Sequence, residues 1–215
     1  MRLRKLVKSL VFVACLGPVA WLTYGAFMDA LGANPIAEIT HETGVWTLRF
    51  LAVTLLITPL RKLTKWNALI RYRRMLGLFA FFYGCLHFLT YVWLDQFFAL
   101  DDIVKDVMKR PFITVGFTAF VLMIPLALTS TAGWIRRLGG KRWNLLHRLI
   151  YVSAVLGVIH YLWLVKADTI RPIRYGVVIG VLLVARAAFA WRRRLTATAS
   201  RAPSADPRLR RAADA

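Results

Sequence analysis

The sequence has few acidic residues, few cysteines and few charged residues of any kind. Only 10 of its 215 residues are Asp or Glu, against 30 Lys and Arg, and 59% are hydrophobic. Soluble chains average about 45–50% apolar and about 25% charged residues, so this composition is not that of an ordinary soluble domain. The abundance of apolar residues excludes an intrinsically disordered chain. The two cysteines, Cys15 and Cys85, lie inside apolar runs, which excludes a disulfide scaffold.

The basic charges lie between long apolar blocks and do not form a stripe along one face. We therefore expect no nucleic-acid partner and a chain that lies in a lipid bilayer. A hydrocarbon core about 30 Å thick requires about 20 apolar residues in a helix. Because lipid offers the backbone no hydrogen bonds, each run of this length is predicted to be helical. There are six such runs, at residues 7–30, 44–60, 75–94, 112–129, 146–165 and 172–191.

Most of the Lys and Arg lie at the two ends of the chain and in alternate connections, around residues 61–74 and 136–148. The six runs predict an all-α membrane protein, a bundle of six transmembrane helices. The positive-inside rule then predicts that both termini lie in the cytoplasm. Residues 1–194 are expected to form the membrane domain, and residues 195–215 a disordered basic cytoplasmic tail. The first run resembles a signal peptide in its basic start, but its length and the lack of a small-residue cleavage site favour a transmembrane helix.

Three of the four histidines lie in these spans, where an ionisable residue is costly and indicates function. His87 and His160 occupy the outer halves of the third and fifth spans, and His147 lies about 20 Å below His160 at the inner boundary. Imidazole binds iron, and a haem between two helices takes one His from each. The spacing of His147 and His160 does not suit a single cleft. A spacing of 13 residues rotates a straight helix by about 220°, which would not point His147 and His160 into one cleft.

Other interpretations fit the same residues. Membrane histidines also form helix-packing hydrogen bonds, or act as titrating relays in a proton- or ion-coupled transporter; a scaffold protein without pigment is a third alternative. His41 is expected to be a solvated loop residue, and Cys15 and Cys85 to be core residues. Arg49 and Arg186 lie near span ends, and we expect them either to reach the interface or to pair with the carboxylates of a cofactor.

Four dispersed motifs resemble a known family. They are RRMLGL at 73–78 before His87, KRPFI at 109–113, PLALTS at 125–130, and WNLLHRLIY at 143–151 before His160. In this order they resemble the MsrQ family, the haem-binding membrane subunits of bacterial methionine sulfoxide reductase systems, within the ferric reductase-like transmembrane superfamily. The resemblance covers roughly residues 5–194.

The resemblance implies a b-type haem electron conduit in the bacterial inner membrane. Electrons would come from quinol or a cytosolic flavin reductase and pass to the periplasmic molybdenum enzyme MsrP, which reduces methionine sulfoxide in oxidised envelope proteins. Acidic outer loops at 38–42 and 95–106 are expected to dock an oppositely charged partner. FMN is implied by the resemblance alone. The implied cofactor-binding residues are the iron ligands His87, His160 and His147, together with Arg73, Arg74 and Arg148.

In this superfamily, two histidines on the third helix and two on the fifth commonly hold two haems, and a spacing of 13 on the fifth helix is usual. Here Arg73 stands at the inner position of the third helix, so His147 has no histidine partner and the chain would hold one haem or two. Ferric reductases and NADPH oxidases carry a flavin and NADPH domain after the last helix. This chain ends soon after Trp191, so a second protein or quinol is expected to supply the electrons.

Overall fold

A computed structural model of the protein describes residues 2–199. Over these residues the chain forms eight α-helices and no strand. A 3-10 turn (Asn67–Leu69) precedes the third helix, and a π-helical turn (Tyr91–Asp95) extends it. The helices are α1 (Arg2–Phe27), α2 (Pro35–Thr64), α3 (Ile70–Thr90), α4 (Leu100–Lys109), α5 (Pro111–Leu128), α6 (Ala132–Leu146), α7 (Leu149–Leu164) and α8 (Ile170–Ala199).

Six segments of the described chain are long and apolar enough to cross a membrane. Each overlaps one of the predicted spans, so the prediction of an all-α bundle with six transmembrane helices is confirmed. The last helix, α8, continues to Ala199, beyond residue 194, where we predicted the membrane domain to end. The rest of the predicted tail, residues 200–215, lies outside the described residues.

The bundle has two ends, which we name by what they carry. The distal end carries the α1–α2 turn, α4 and the α7–α8 turn. The proximal end carries residue 2, the α2–α3 connection and α6. Six crossings bring the first residue of α1 and the last residue of α8 to the same, proximal, end.

The helix α2 begins well before the apolar run that predicted it. The Asn34 side chain accepts a hydrogen bond from the Ala37 N–H at 3.0 Å and caps the helix, and Pro35 occupies the first turn, where its missing N–H costs nothing. The helix therefore takes in residues 38–42. The prediction that these residues, His41 included, form a loop is wrong.

Two helices lie in segments that we predicted as connections. At the distal end, α4 joins α3 to α5, so residues 100–109 are helical. At the proximal end, α6 is capped by Thr131, whose side chain accepts a hydrogen bond from the Trp134 N–H at 3.3 Å. It is interrupted at Gly139, where φ is 72°. A turn at His147 and Arg148 separates α6 from α7, so the fifth predicted span is not a single helix from residue 146.

The bundle is built on two closely packed helix pairs, α2 with α3 and α5 with α7, and α2 also contacts α7 and α8. Aromatic rings fill the first pair. Phe50 of α2 stacks against Phe79 and Tyr83 of α3, with ring centroids 5.7 and 5.2 Å away. Such ring pairs contribute about 0.5–1.5 kcal/mol beyond their burial, so they hold the two helices in a fixed relation.

The fully buried Tyr83 also fastens α1 to α3 beside Pro18. Its hydroxyl donates to the Cys15 carbonyl at 2.8 Å and accepts from the Val19 N–H at 3.2 Å. In a regular helix those two backbone groups would bond to each other, since they are four residues apart. The tyrosine hydroxyl therefore bridges the Cys15 carbonyl and the Val19 N–H of α1, next to the proline that disturbs the helical hydrogen bonds.

Arg186 of α8 supplies a hydrogen bond that a second proline, Pro59, removes from α2. Pro59 has no N–H to offer the Leu55 carbonyl four residues earlier, and the Arg186 Nη1 donates to that carbonyl at 2.9 Å. Its Nη2 donates to the Tyr151 hydroxyl at 2.9 Å. We expected Arg186 to reach the interface or to pair with a cofactor. In the structure it joins α8 to α2 and α7 inside the bundle.

Candidate functional site

A cavity of about 430 Å³ lies between α2, α3, α5 and α7 and reaches the distal end of the bundle. This volume is in the range of small-molecule and cofactor sites, about 300–1,000 Å³. His87 lines the cavity from α3 and His160 from α7. Its apolar lining includes Leu48, Leu51, Phe88, Phe117, Phe120 and Met123.

The structure brings His87 and His160 together. Their ring centroids are 6.0 Å apart and the ring planes are inclined at 72°. Two imidazoles bound to opposite sides of one metal ion, at about 2.0–2.1 Å per nitrogen, place their ring centres roughly 6 Å apart. The observed spacing of the two rings therefore fits one metal ion held between them.

Each of these histidines is oriented by a backbone carbonyl of the neighbouring helix. The His87 Nδ1 lies 2.8 Å from the Thr40 carbonyl of α2, and the His160 Nδ1 lies 2.7 Å from the Phe112 carbonyl of α5. A carbonyl oxygen only accepts hydrogen bonds, so both Nδ1 atoms carry the proton. In the neutral imidazoles the lone pair then lies on Nε2, the tautomer in which Nε2 can bind a metal.

A glycine makes room for each of these hydrogen bonds. Gly44 is four residues after Thr40, and a Cβ there would lie 3.0 Å from the Nδ1 and Cε1 of His87. Gly116 is four residues after Phe112, and a Cβ there would lie 2.6 Å from the His160 Nδ1, closer than real Cβ contacts occur. The two carbonyls are accessible to the rings because neither glycine has a side chain.

A second pair of glycines repeats on the histidine helices. Gly84 and Gly157 each precede a histidine by three residues, and all four residues line the cavity. Residues three apart lie on the same face of a helix, so each histidine has bare backbone beside it. A Cβ at Gly157 would lie 3.1 Å from Leu48 Cδ2. Our sequence reasoning missed these glycines, although the repeated Gly-x-x-His spacing at 84–87 and 157–160 was a signal for them.

The fourth histidine, His41, also lines the cavity. Its Nε2 is 3.1 Å from the hydroxyl of the buried Tyr161, and its Nδ1 is 3.7 Å from the Glu42 carboxylate. The prediction of a solvated loop residue is therefore wrong. Beside it, Arg49 donates to the Tyr175 hydroxyl at 3.1 Å and lies 3.6 Å from Glu42, so Arg49 is bound to protein groups and does not line the cavity.

His147 lies outside this cavity, at the turn between α6 and α7. Its ring contacts Trp143 with centroids 3.8 Å apart, and its Nε2 is 3.5 Å from the Thr129 hydroxyl. Because α7 begins after this turn, His147 and His160 do not share one continuous helix. As the spacing of 13 residues predicted, the two histidines do not point into one cavity.

The three predicted arginines do not line the cavity either. Arg73 is half-buried on α3, close enough to His147 and Arg186 for the charges to interact. Arg74 and Arg148 are exposed. Of the predicted site residues, the structure thus groups His87 with His160 at the distal end, and Arg73 with His147 at the proximal end.

The fold and the site define a helical membrane protein with six spans and a cavity lined by the imidazoles of His41, His87 and His160. The family described as ferric reductase like transmembrane component matches residues 43–158, a stretch that takes in most of α2 and ends two residues before His160.

Curated relatives carry a more specific name. One from Herminiimonas arsenicoxydans is 59% identical over 191 residues, covering 88% of each chain. One from Azospira oryzae is 57% identical over 178 residues, 82% of this chain and 76% of the relative. One from Rhodospirillum rubrum is 52% identical over 202 residues, 93% of this chain and 95% of the relative. All three are named protein-methionine-sulfoxide reductase heme-binding subunit MsrQ. The chain belongs to the MsrQ family of ferric reductase-like membrane proteins.

Proposed function

We propose that this chain is a b-type cytochrome that binds haem through His87 and His160 and carries electrons across a membrane. One observation carries the proposal: two imidazoles, each fixed by a carbonyl through Nδ1, lie 6.0 Å apart in one cavity. The names of the relatives, which are heme-binding subunits, support the same cofactor.

The residues around the cavity have distinct tasks in this proposal. The Thr40 and Phe112 carbonyls hold the His87 and His160 rings and make each Nε2 a stronger donor to iron. The apolar walls and the bare glycine backbone accommodate a flat, apolar macrocycle. When bound, haem supplies an iron centre that takes up and releases one electron at a time.

The carboxylates of the haem need a cation or water near the cavity mouth. Arg110 is the one Lys or Arg among the cavity-lining residues of the described chain, and it lies at the distal end. Its Nε is 3.3 Å from the Asp106 carboxylate, and its side chain is more than half exposed. We assign Arg110 to one carboxylate of this haem, the role that we had considered for Arg49 and Arg186.

The proximal end is a candidate site for a second haem on His147. The described chain supplies one imidazole there, and its charged neighbour is Arg73 of α3, whose protonated guanidinium offers iron no lone pair. We therefore propose one haem at the distal end and leave a second haem and FMN as expectations of the family resemblance.

Topology gives the proposed direction of electron flow. The basic segments belong to the proximal end, so we propose that this end is cytoplasmic and that the protein lies in the bacterial inner membrane. Quinol or a cytosolic flavin reductase would deliver electrons there. The distal haem would pass them to periplasmic MsrP, which would use them to reduce methionine sulfoxide.

Of the two acidic segments predicted to dock a partner, 38–42 and 95–106, the structure favours the second. Glu38 and Glu42 are half-buried on α2, and Glu42 pairs with Arg49, so they are poorly placed to meet a partner. Asp101 and Asp102 of α4 are both exposed at the distal end, Asp102 at 3.1 Å from Lys105. We propose α4 as the acidic part of the contact with MsrP, through charges whose attraction weakens with salt.

Optical spectra test the cofactor assignment. The purified protein should show a strong Soret band and a sharp reduced alpha band, and His87→Ala or His160→Ala should remove the low-spin spectrum of the distal haem. His147→Ala is the matched control and should retain it. A colourless protein that cannot be reconstituted with haem would refute the cytochrome and would favour the alternative transporter.

A second experiment tests the direction of transfer. The haem is reduced in detergent or membranes, and oxidised MsrP is added with a methionine sulfoxide substrate. Haem reoxidation that requires both additions supports the conduit. A haem that stays reduced beside active MsrP would contradict the proposed partner and leave the cytochrome intact.

A further inference from the structure

The helix α4 lies at the distal mouth of the cavity. Val107 and Arg110 contribute to the cavity lining. Two side chains fasten the helix from below: the Tyr91 hydroxyl donates to the Asp106 carboxylate at 3.3 Å, and the Thr114 hydroxyl donates to the Val107 carbonyl. Any change in how α4 is held therefore alters access to His87 and His160.

An apolar stripe on α4 has no protein partner in the described chain. Leu100, Val104 and Met108 recur every four residues on one face and are 70%, 57% and 81% exposed. Phe97 and Phe98, just before the helix, are also exposed. Ile103 and Val107, on the adjoining part of the apolar face, are half-buried.

The position of α4 indicates that this stripe faces lipid. The helix joins the distal ends of two membrane spans, Asn67–Asp95 and Pro111–Leu128, and so lies where the hydrocarbon core ends. Trp93, just before it, is exposed as interfacial aromatics are. A helix with one apolar and one charged face lies in this boundary with its apolar side in the acyl region. The stripe is thus continuous with the lipid-facing surface of the bundle.

Met108 is the most accessible methionine of the described chain. It is 81% exposed and Met28 is 60% exposed, whereas Met75 and Met123 are 8% and 4% exposed. Oxidation of a methionine thioether converts an apolar side chain into a polar one, and access to the sulfur governs it. Met108 is the last residue of the stripe, one residue before α4 ends at Lys109, so an oxidant that arrives at the distal surface meets it at the edge of the apolar face.

We propose that Met108 is a reversible oxidation site that controls how firmly α4 covers the cavity. An oxidant of the hypohalous acid or peroxide class transfers one oxygen atom to the Met108 sulfur, forms the S–O bond, and leaves as halide and a proton or as water. The sulfoxide weakens the contact between the stripe and lipid, and α4 uncovers the distal mouth. Two electrons and two protons break the S–O bond again and release water.

The inference rests on the proposed function for its biological sense. If the chain delivers electrons for the reduction of methionine sulfoxide, then oxidation of Met108 uncovers the electron exit under the conditions that create the substrate. The product of the same system, a reduced thioether, closes the cap. Met108 sulfoxide is in this account both a signal and a substrate.

The test uses the full-length holoprotein in phosphatidylcholine nanodiscs. The wild type and the variant Met108→Leu, which cannot form the sulfoxide, are treated with hypochlorous acid, and mass spectrometry measures sulfoxide at each methionine. The variant Met108→Gln places a neutral polar group of similar size at the site without oxidation, and Met28→Leu is the matched control. Two readouts follow: the rate at which ferricyanide reoxidises the reduced haem, and tryptic cleavage after Lys105 and Lys109 of α4.

Oxidised wild type and untreated Met108→Gln should both react with ferricyanide several-fold faster than untreated wild type, and trypsin should cut α4 faster in both. Met108→Leu should keep the untreated rate after hypochlorous acid, and a methionine sulfoxide reductase should restore the oxidised wild type. Equal rates in Met108→Gln and wild type, or acceleration of oxidised Met108→Leu, would overturn the proposal. A missing Soret band would refute the cytochrome, whereas the tryptic readout would still test the cap.

Discussion

In the distal half of the bundle His87 and His160 lie close together in one cavity, which His41 also lines, and in the proximal half His147 lies at a turn between helices. His87 and His160 each bond to a backbone carbonyl through Nδ1, next to a glycine that leaves room for the ring. His147 instead contacts Trp143 and the Thr129 hydroxyl, with Arg73 as its charged neighbour. The difference lies in the surroundings of the rings. In the distal half a glycine next to each histidine leaves a backbone carbonyl accessible, and that carbonyl orients the ring towards the other histidine's side of the cavity.

We expect the largest effect on haem binding from a side chain added at Gly116, in the space beside the His160 ring. Gly116→Ala would place a Cβ 2.6 Å from the His160 Nδ1, so the ring must leave the Phe112 carbonyl. We expect loss of most low-spin haem, measured by the Soret absorbance per protein. Gly140→Ala on α6 is the control, since nothing lies within 4 Å of a Cβ there. A wild-type spectrum in Gly116→Ala would show that the hydrogen bond is dispensable.

The two halves should also respond separately to loss of a histidine. His147→Ala removes the proximal imidazole and leaves the cavity lining intact, so the distal low-spin signal should persist. Any haem lost should be a second, spectrally distinct population, which redox titration of wild type and variant would resolve. Loss of the distal signal would contradict the separation of the two sites.

A smaller effect is expected at Arg186, which belongs to the proximal half. Arg186→Met leaves the Leu55 carbonyl without a donor, because Pro59 cannot supply one. A hydrogen bond to a charged group contributes about 1.5–3 kcal/mol, so the thermal unfolding midpoint should fall while the distal spectrum is unchanged. Arg192→Met, which removes an exposed guanidinium from the same helix, should change the midpoint far less.

The smallest effect is expected in the distal wall at Tyr161. Tyr161→Phe removes the hydrogen bond to the His41 Nε2 and retains the aromatic ring. Stability should fall by about 0.5–1.5 kcal/mol, with haem content close to wild type, because His160 is held by another contact. Thermal bleaching of the Soret band measures this. Haem loss as large as in Gly116→Ala would mean that the hydroxyl, and not the carbonyl, fixes the site.

The sequence was sufficient for the spans and for the distal histidines. Length and apolarity decide which segments can cross a bilayer, and a rise of about 1.5 Å per residue is enough to give His87 and His160 a common depth. The break after α6 was not predictable in this way. No proline or glycine marks His147 and Arg148, and the turn goes with a tertiary contact, the hydrogen bond from the Trp143 indole to the Thr129 carbonyl at 2.9 Å.

The polar parts of the site were the hardest to predict. His41 was placed in a loop because the apolar run begins at residue 44, although Asn34 and Pro35 are a strong signal for a helix start. The partners of the histidines are backbone carbonyls, which carry no sequence signature of their own. Arg110 belongs to a motif that served only for the resemblance, since its position at the cavity depends on how α4 packs.

The bond between Arg186 and the Leu55 carbonyl has a consequence for biogenesis. Synthesis runs from the N-terminus, so α2 is complete long before α8 emerges. Until then the Leu55 carbonyl has no donor from its own helix, and in lipid such a group is costly. The last span carries the missing donor, and its own charge is costly in the bilayer until it finds that carbonyl. Alone in the bilayer, α2 would carry a carbonyl without a donor and α8 a charge without a partner, so both helices are stabilised when α8 packs against α2.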